Sequence, residues 1–262
     1  MANDSITKTL TVAVLLCIVC SVLVSTAAVK LKPLQVKNKA LFTKKNILQA
    51  AGLMEEGNKD ADVDQLFQKI QVKIVDLASG EFDDNINAEK YNQKAAAKDP
   101  ARSIQISGDQ DLAKIKHRAM KAPVYLVQED GELQTIILPI HGKGLWGTMY
   151  AFLALEGDAN TVKGYTFYDH GETPGLGGEV ENRLWKQQWI GKKIFDKDWN
   201  LVVQVLKGKV NLKKPEAIHQ ADGLSGATLT TVGVNNLMQY WLSENGFGKF
   251  LVRIRNQGGG NG

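Results

Sequence analysis

Thr9 to Val29 is an uncharged, strongly apolar run of about 21 residues, and a helix of that length crosses a hydrocarbon core about 30 Å thick. The pattern beyond it is short and mixed, as in a soluble domain. Asn46 to Met54 predicts a helix stopped near Gly57, and Asp62 to Lys69 predicts another. Gln71 to Leu77 is strand-like, whereas Gly80 to Pro100 is rich in Asp, Asn, Lys and Ala and belongs to the surface. Val124 to Val127 and Leu133 to Ile140 predict paired strands joined through Glu129-Asp130-Gly131-Glu132. Ala151 to Leu155, Thr161 to Tyr168 and Leu201 to Leu206 extend the strand pattern, with a helix over Val180 to Ile190 among them. Val232, Val234, Leu237, Met238, Trp241 and Leu242 then recur at helical spacing. Short strands with interposed helices argue for an α+β domain on a curved, largely antiparallel sheet with flanking helices. The glycine-rich tail after Arg255 lacks material to pack and is expected to be flexible. The expected divisions are a short tail over 1–8, an anchor over 9–29, a soluble domain over 30–255 and the tail over 256–262.

Composition narrows the classes. The apolar run exceeds the roughly 7–15 residue core of a signal peptide, which favours a retained anchor over cleavage near Ser25-Thr26-Ala27-Ala28. Lys8 is the only basic side chain before the span, whereas Lys30, Lys32, Lys37, Lys39, Lys44 and Lys45 follow it, so a literal positive-inside count leaves the large domain in the cytoplasm. The formal charge of +4 is mild and dispersed, and without a basic stripe interleaved with aromatics nucleic-acid binding is not supported. Cys17 and Cys20 both lie in the apolar run, which leaves no thiolate for an iron–sulfur or structural zinc site in the soluble part.

Chemistry concentrates in three stretches. Asp222-Gly223-Leu224-Ser225-Gly226-Ala227-Thr228-Leu229-Thr230-Thr231 is a small-residue turn entering the amphipathic helix. Its glycines permit unusual backbone angles, its hydroxyls can cap the helix, and the first amides of a helix attract a phosphate. The same composition also precedes many ordinary helices. His141-Gly142-Lys143-Gly144-Leu145-Trp146-Gly147 reads either as a tight strand connection or as a loop that approaches a ligand, with Trp146 covering a planar ring. Asp169-His170-Gly171-Glu172-Thr173-Pro174-Gly175-Leu176-Gly177-Gly178-Glu179 mixes polar groups and glycines in the manner of a flavin pocket. His170 and Glu172 also suggest a metal pair, but no third ligand is specified. Neither a strand-linked GxGxxG nor a GxxxxGK[ST] loop occurs.

The run Asp222 to Thr228 resembles the flavin-attachment signature of membrane respiratory proteins in which the last threonine carries FMN through a phosphoester bond. With the amino-terminal span, His141 to Tyr150, Asp169 to Glu179 and Trp185 to Lys192, the chain resembles the NqrC family, the C subunits of bacterial sodium-translocating NADH:quinone reductases. The G subunit of the Rnf electron-transport complex is a close relative, and a membrane-anchored binding or assembly module without cofactor is the other class to exclude. The resemblance implies a covalent-FMN one-electron carrier with an exported, periplasmic domain and a short cytoplasmic tail at the bacterial inner membrane. Within a membrane complex of six subunits that oxidises NADH, reduces ubiquinone and exports sodium, it implies electrons arriving from an iron–sulfur centre held by membrane subunits and leaving towards a flavin on NqrB. A flavin transferase using FAD would attach one FMN to Thr228. Ser225, Gly226 and Ala227 would shape the acceptor loop, and Asp222 would position it. Leu145, Trp146, Glu172, Thr173, Leu176 and Gly177 are the noncovalent candidates, with Lys207 or Lys209 neutralising phosphate.

Overall fold

The computed structural model describes residues 5–55, 57–58 and 62–258. It divides into two compact units, Met1–Thr43 and Lys44–Gly262. The first unit consists, where described, of most of helix α1, Ile6–Ala50, which is long and apolar enough to cross a membrane. The helix does not stop where the apolar run ends. It continues through Pro33 and the following lysines to Ala50, whose neighbours Ile47 and Leu48 are buried.

The second unit is built on five strands. They are β1 (Ile70–Asp76), β4 (Lys121–Glu129), β5 (Glu132–Lys143), β6 (Thr148–Glu156) and β7 (Val162–Asp169), in the spatial order β1-β4-β5-β6-β7. Every pairing in this sheet is antiparallel. The tight β4–β5 connection is Asp130-Gly131, both at positive φ, as a two-residue hairpin loop requires. Along β5, Ile136, Leu138 and Ile140 join the large core cluster, while Thr135, Ile137 and Pro139 are buried outside it. Successive side chains on a strand point to opposite faces, so both faces of the sheet centre are covered.

The curved sheet expected from the sequence is not what forms. The sheet is open, with β1 and β7 as edges that do not pair with each other. Its edges are covered locally instead: Asp83 N donates to Ile74 O (2.8 Å) beside β1, and Val162 N donates to Lys192 O (2.8 Å) beside β7. Edges satisfied by neighbouring loops have no need of closure.

Smaller elements complete the unit. Helix α2 (Val63–Phe67) is capped by Asp62, and α3 (Gln93–Ala96) by Asn92. A pair of three-residue antiparallel strands, β2 (Ser103–Gln105) and β3 (His117–Ala119), lies in a region where the sequence predicts no strand. The helix expected over Val180 to Ile190 is a 3-10 turn (Gly177–Glu181) and then α4 (Arg183–Gln187), divided where Asn182 caps the second. The strand expected over Leu201 to Leu206 shrinks to β8 (Gln204–Val205), which pairs in parallel with β9 (Gln220–Ala221). Helices α5 (Thr228–Leu242) and α6 (Gly248–Gly258) end the chain. α6 includes residues 256–258 of the expected tail, and 259–262 lie outside the described residues.

Candidate functional site

The site is placed by the way α5 lies on β5. A Cβ on Gly233 would meet Lys143 O at 2.5 Å, and one on Gly142 would meet Leu237 Cβ at 2.6 Å. One turn further on, Trp241 Nε1 donates to His141 O (2.6 Å). Positions 233, 237 and 241 share one helix face, so this face runs along the end of β5 and carries the start of α5 to the tip of the β5–β6 hairpin. That tip is Gly144-Leu145-Trp146-Gly147, closed by Gly144 N donating to Gly147 O (2.7 Å).

The turn before α5 is braced from beneath. Asp222 N donates to the Gln188 side chain (2.6 Å), its carbonyl accepts from Trp185 Nε1 (2.9 Å), and its carboxylate accepts from Val210 N (2.7 Å). Gly223 sits where a Cβ would meet Leu206 O at 2.2 Å, which brings the backbone of Leu206 and Lys207 against the turn. Gly226 adopts φ +72°, a conformation that strains a side chain. Thr231 Oγ1 accepts from Leu224 N (2.9 Å) and donates to Ala227 O (3.1 Å).

The helix itself starts without a side-chain cap among the described residues. Its N-cap is Ala227, so the hydroxyls expected to cap it do not. The first backbone hydrogen bond runs from Thr231 N to Ala227 O, which leaves the amides of Thr228, Leu229 and Thr230 with no intrahelical acceptor. Thr230 and Thr231 are buried, whereas Thr228 and Ser225 are exposed. Thr228 is therefore an exposed threonine at an uncapped, electropositive helix start.

Glu172 holds the other walls. Only 5% exposed, its carboxylate accepts from Trp146 N (3.0 Å), Leu145 N (3.2 Å) and the Thr230 hydroxyl. Burial works to raise its pKa, but the Thr230 hydroxyl and the amides of Trp146, Leu145 and Gly147 outweigh burial and hold it below the usual glutamate value. Gly144 and Gly177 press on the same carboxylate, since a Cβ on either would come within 3 Å of it. Glu172 thus ties together the hairpin tip, its own loop and the first turn of α5. Leu176 reaches over the turn, its Cδ2 3.1 Å from the place of a Cβ on Gly226.

Beside the exposed Ser225, the surface near this turn carries several large apolar groups. Trp146 is 67% exposed, Leu229 62%, Leu176 45% and Leu145 44%. An exposed cluster of large apolar groups around a polar helix start suits a ligand with a flat ring and a phosphate. Of the sequence candidates, Leu145, Trp146, Leu176, Gly226 and Thr228 come together here. Ala227 and Gly177 are buried beneath, while Thr173 is exposed and its carbonyl accepts from Leu176 N (3.1 Å) and Gly178 N (2.9 Å). Lys207 and Lys209 are exposed on the bend after β8, beside Gly223. Glu172 and Asp222 face inward as braces. His170 Nδ1 accepts from Glu172 N (3.1 Å) and its Nε2 lies 3.1 Å from Glu181 Oε1, and no metal-ligand cluster exists among the described residues. The bracing roles of Thr230, Thr231 and Gly233 are not evident in the sequence. Two hydroxyls on the core-facing side of an apolar helix were the available signal, because a buried hydroxyl needs a partner.

Residues 144–243, from the hairpin tip to the end of α5, match the family of FMN-binding domains. Over 257 residues the chain is 51% identical to the C subunit of the Na(+)-translocating NADH-quinone reductase of Pseudomonas aeruginosa, covering 97% of this chain and 98% of the relative. The chain belongs to the NqrC family. The corresponding protein of Vibrio vulnificus is 49% identical over 258 residues, with 98% of each chain covered. The crystal structure of NqrC from Shewanella oneidensis superposes with a TM-score of 0.73 at 34% identity, covering 82% of this chain and 96% of that one. The C subunit from Parabacteroides distasonis superposes with a TM-score of 0.64 at 26% identity, covering 84% and 96%.

Proposed function

We propose that this chain is the FMN-bearing electron-carrier subunit of a sodium-translocating NADH:quinone reductase, with one FMN joined through its phosphate to Thr228. The family membership supports FMN as cofactor and a place in a multisubunit membrane enzyme, of which this chain is one part and not the whole catalyst. The observation that carries the attachment site is exposed Thr228 at an uncapped helix start, on a face that also presents exposed Leu229, Leu176 and, on the Glu172-braced tip, Leu145 and Trp146. The free amides and the exposed Lys207 suit a phosphate, and the apolar groups suit a ring.

Bound FMN supplies one-electron transfer. The protein residues hold it in place: Ser225, Gly226 and Ala227 shape the acceptor turn, Asp222 fixes that turn to the scaffold, and Glu172 aligns the hairpin tip against it. Thr173 and Gly177 belong to the loop that presents Leu176. In this reading α1 anchors the chain in the inner membrane with the large domain periplasmic. Electrons come from an iron–sulfur centre in membrane subunits and pass towards the flavin of NqrB, and a flavin transferase loads the cofactor.

The test is intact-mass analysis of chain matured with the transferase, followed by peptide mapping under denaturing conditions. The expected result is one FMN-sized adduct on Thr228, absent from Thr228→Ala. Because the side chain is exposed, that variant keeps its stability to within about 0.5 kcal/mol. Normal covalent flavin on Thr228→Ala overturns the assignment.

A further inference from the structure

The β5–β6 hairpin also borders a second concavity, of about 480 Å³, walled by the end of α3, the turn before β3, and Thr148 and Tyr150 of β6. Four lysines, Lys94, Lys98, Lys114 and Lys116, line it together with His117, and none of the described lining residues is a carboxylate. The neighbouring acids are already engaged. Asp169 pairs with Lys94 (3.2 Å), Asp99 with Arg102 (2.7 Å), and Asp111 accepts from Ile115 N (2.9 Å) and Lys116 N (2.8 Å). Lys98, Lys114 and Lys116 are exposed and have no carboxylate partner among the described residues.

Two of these lysines stand on unusual backbone. Lys114 and Lys116 have φ of +52° and +65°, the left-handed region that ordinary side chains avoid. The Asp111 carboxylate stabilises this turn, so both ammonium groups are held at the rim of one concavity. Lysines this close repel one another, and an opposing negative charge relieves the repulsion. The half-buried His141, also in the lining, has its pKa pushed down to about 4 by burial and then by Lys94, so it adds no charge at neutral pH.

The position relative to the cofactor site gives the cluster its meaning. Thr148 lines the concavity and pairs in register with Lys143, and the residues between them form the Gly144–Gly147 tip that carries Leu145 and Trp146. Resting on the electron-carrier reading above, we propose that this lysine-lined concavity is the docking surface for an acidic segment of a partner subunit that exchanges electrons with this chain. Exposed ammonium groups around an open concavity suit carboxylates on a convex protein surface, and such complementarity sets orientation and approach rate. Docking here brings the partner up beside the hairpin tip that borders the proposed flavin site.

The test uses the assembled, flavin-loaded complex in detergent. Carbodiimide joins a lysine amine to a carboxylate in direct contact, forming an amide while the carbodiimide takes up the elements of water and leaves as a urea. The expected products, mapped by peptide mass, are links from Lys98, Lys114 or Lys116 to an Asp or Glu of another subunit, suppressed at high salt. Links only within this chain, or none, overturn the proposal. This readout does not depend on flavin, so a failure of the cofactor assignment is distinguishable from a failure here. As a second measurement, the K98E/K114E/K116E chain, with covalent flavin content checked by mass, is expected to slow NADH-driven reduction of its flavin at least tenfold. The K98Q/K114Q/K116Q chain loses less and flattens the salt dependence. Full flavin content with unchanged rate and salt dependence in both variants overturns the proposal. So does tight calorimetric binding of pyrophosphate that leaves the electron-transfer rate unchanged, which instead assigns the concavity to a small anion.

Discussion

Glu172 shows how a single residue can hold several remote segments of a site together. Its carboxylate accepts from the amides of residues 26 and 27 positions away and from a hydroxyl 58 positions away. Nothing local in its glycine-rich loop reveals partners so remote. The turn and helix start at Thr228 were legible for the opposite reason: the small-residue turn before it and the helical spacing after it are local. The expected outcome for Glu172→Gln is a loss of about 1–3 kcal/mol in urea unfolding, because one amide or hydroxyl donor is left facing another donor. Its flavin occupancy falls with it. The sign of the pH effect follows from the depressed folded pKa. The contribution is fully present at neutral pH, above the ordinary value of 4.5, and is lost as pH falls through the lower folded value. The stability gap between wild type and variant therefore closes in acid, and a gap independent of pH between 7 and 3 contradicts the account.

At the scale of elements, the meander β4–β7 was readable because alternation and the Asp130-Gly131 turn are features of neighbouring residues. The β2–β3 pair was not, since three-residue strands flanked by polar loops leave almost no periodic signal. The openness of the sheet was equally hidden. Which edge is covered by which loop is decided by contacts such as Asp83 to Ile74 and Val162 to Lys192, which no strand pattern records. The seating of α5 is a third case, and it yields a direct expectation. In a helix interior, Gly→Ala ordinarily stabilises by up to about 1 kcal/mol. At Gly233 the added Cβ would lie 2.5 Å from Lys143 O and 3.2 Å from Gly144 Cα, so the helix must lift off the hairpin. Gly233→Ala is expected to destabilise by about 1–3 kcal/mol instead and to reduce flavin loading, by moving Thr228 relative to the Glu172-braced tip. Thermal unfolding and flavin content measure both. A stabilised variant with full loading would remove the close approach from the explanation.

For the molecule as a whole, the informative feature is that one unbroken helix serves two environments. The sequence separates an apolar span from a later helix, and both belong to α1 because no residue between them ends it. Pro33 is accommodated within the helix, and the lysines there are good helix formers. The division into compact units falls at Thr43 and Lys44, inside the helix and well beyond the apolar run. Two truncations separate these roles. A chain starting at Lys44 keeps Ile47, Leu48, Ala50 and Ala51, each buried to within 1%, and is expected to be a water-soluble, folded monomer that accepts flavin. A chain starting at Gly52 removes all four. Burial of one Leu or Ile side chain is worth roughly 1.5–3 kcal/mol, so the second truncation costs on the order of 4 kcal/mol or more, a large share of a typical 5–15 kcal/mol domain stability. Urea unfolding of the two truncated chains, followed by tryptophan fluorescence, reads the difference. Equal midpoints would mean that the last turns of α1 contribute nothing to the flavin domain, and that the helix is an anchor alone.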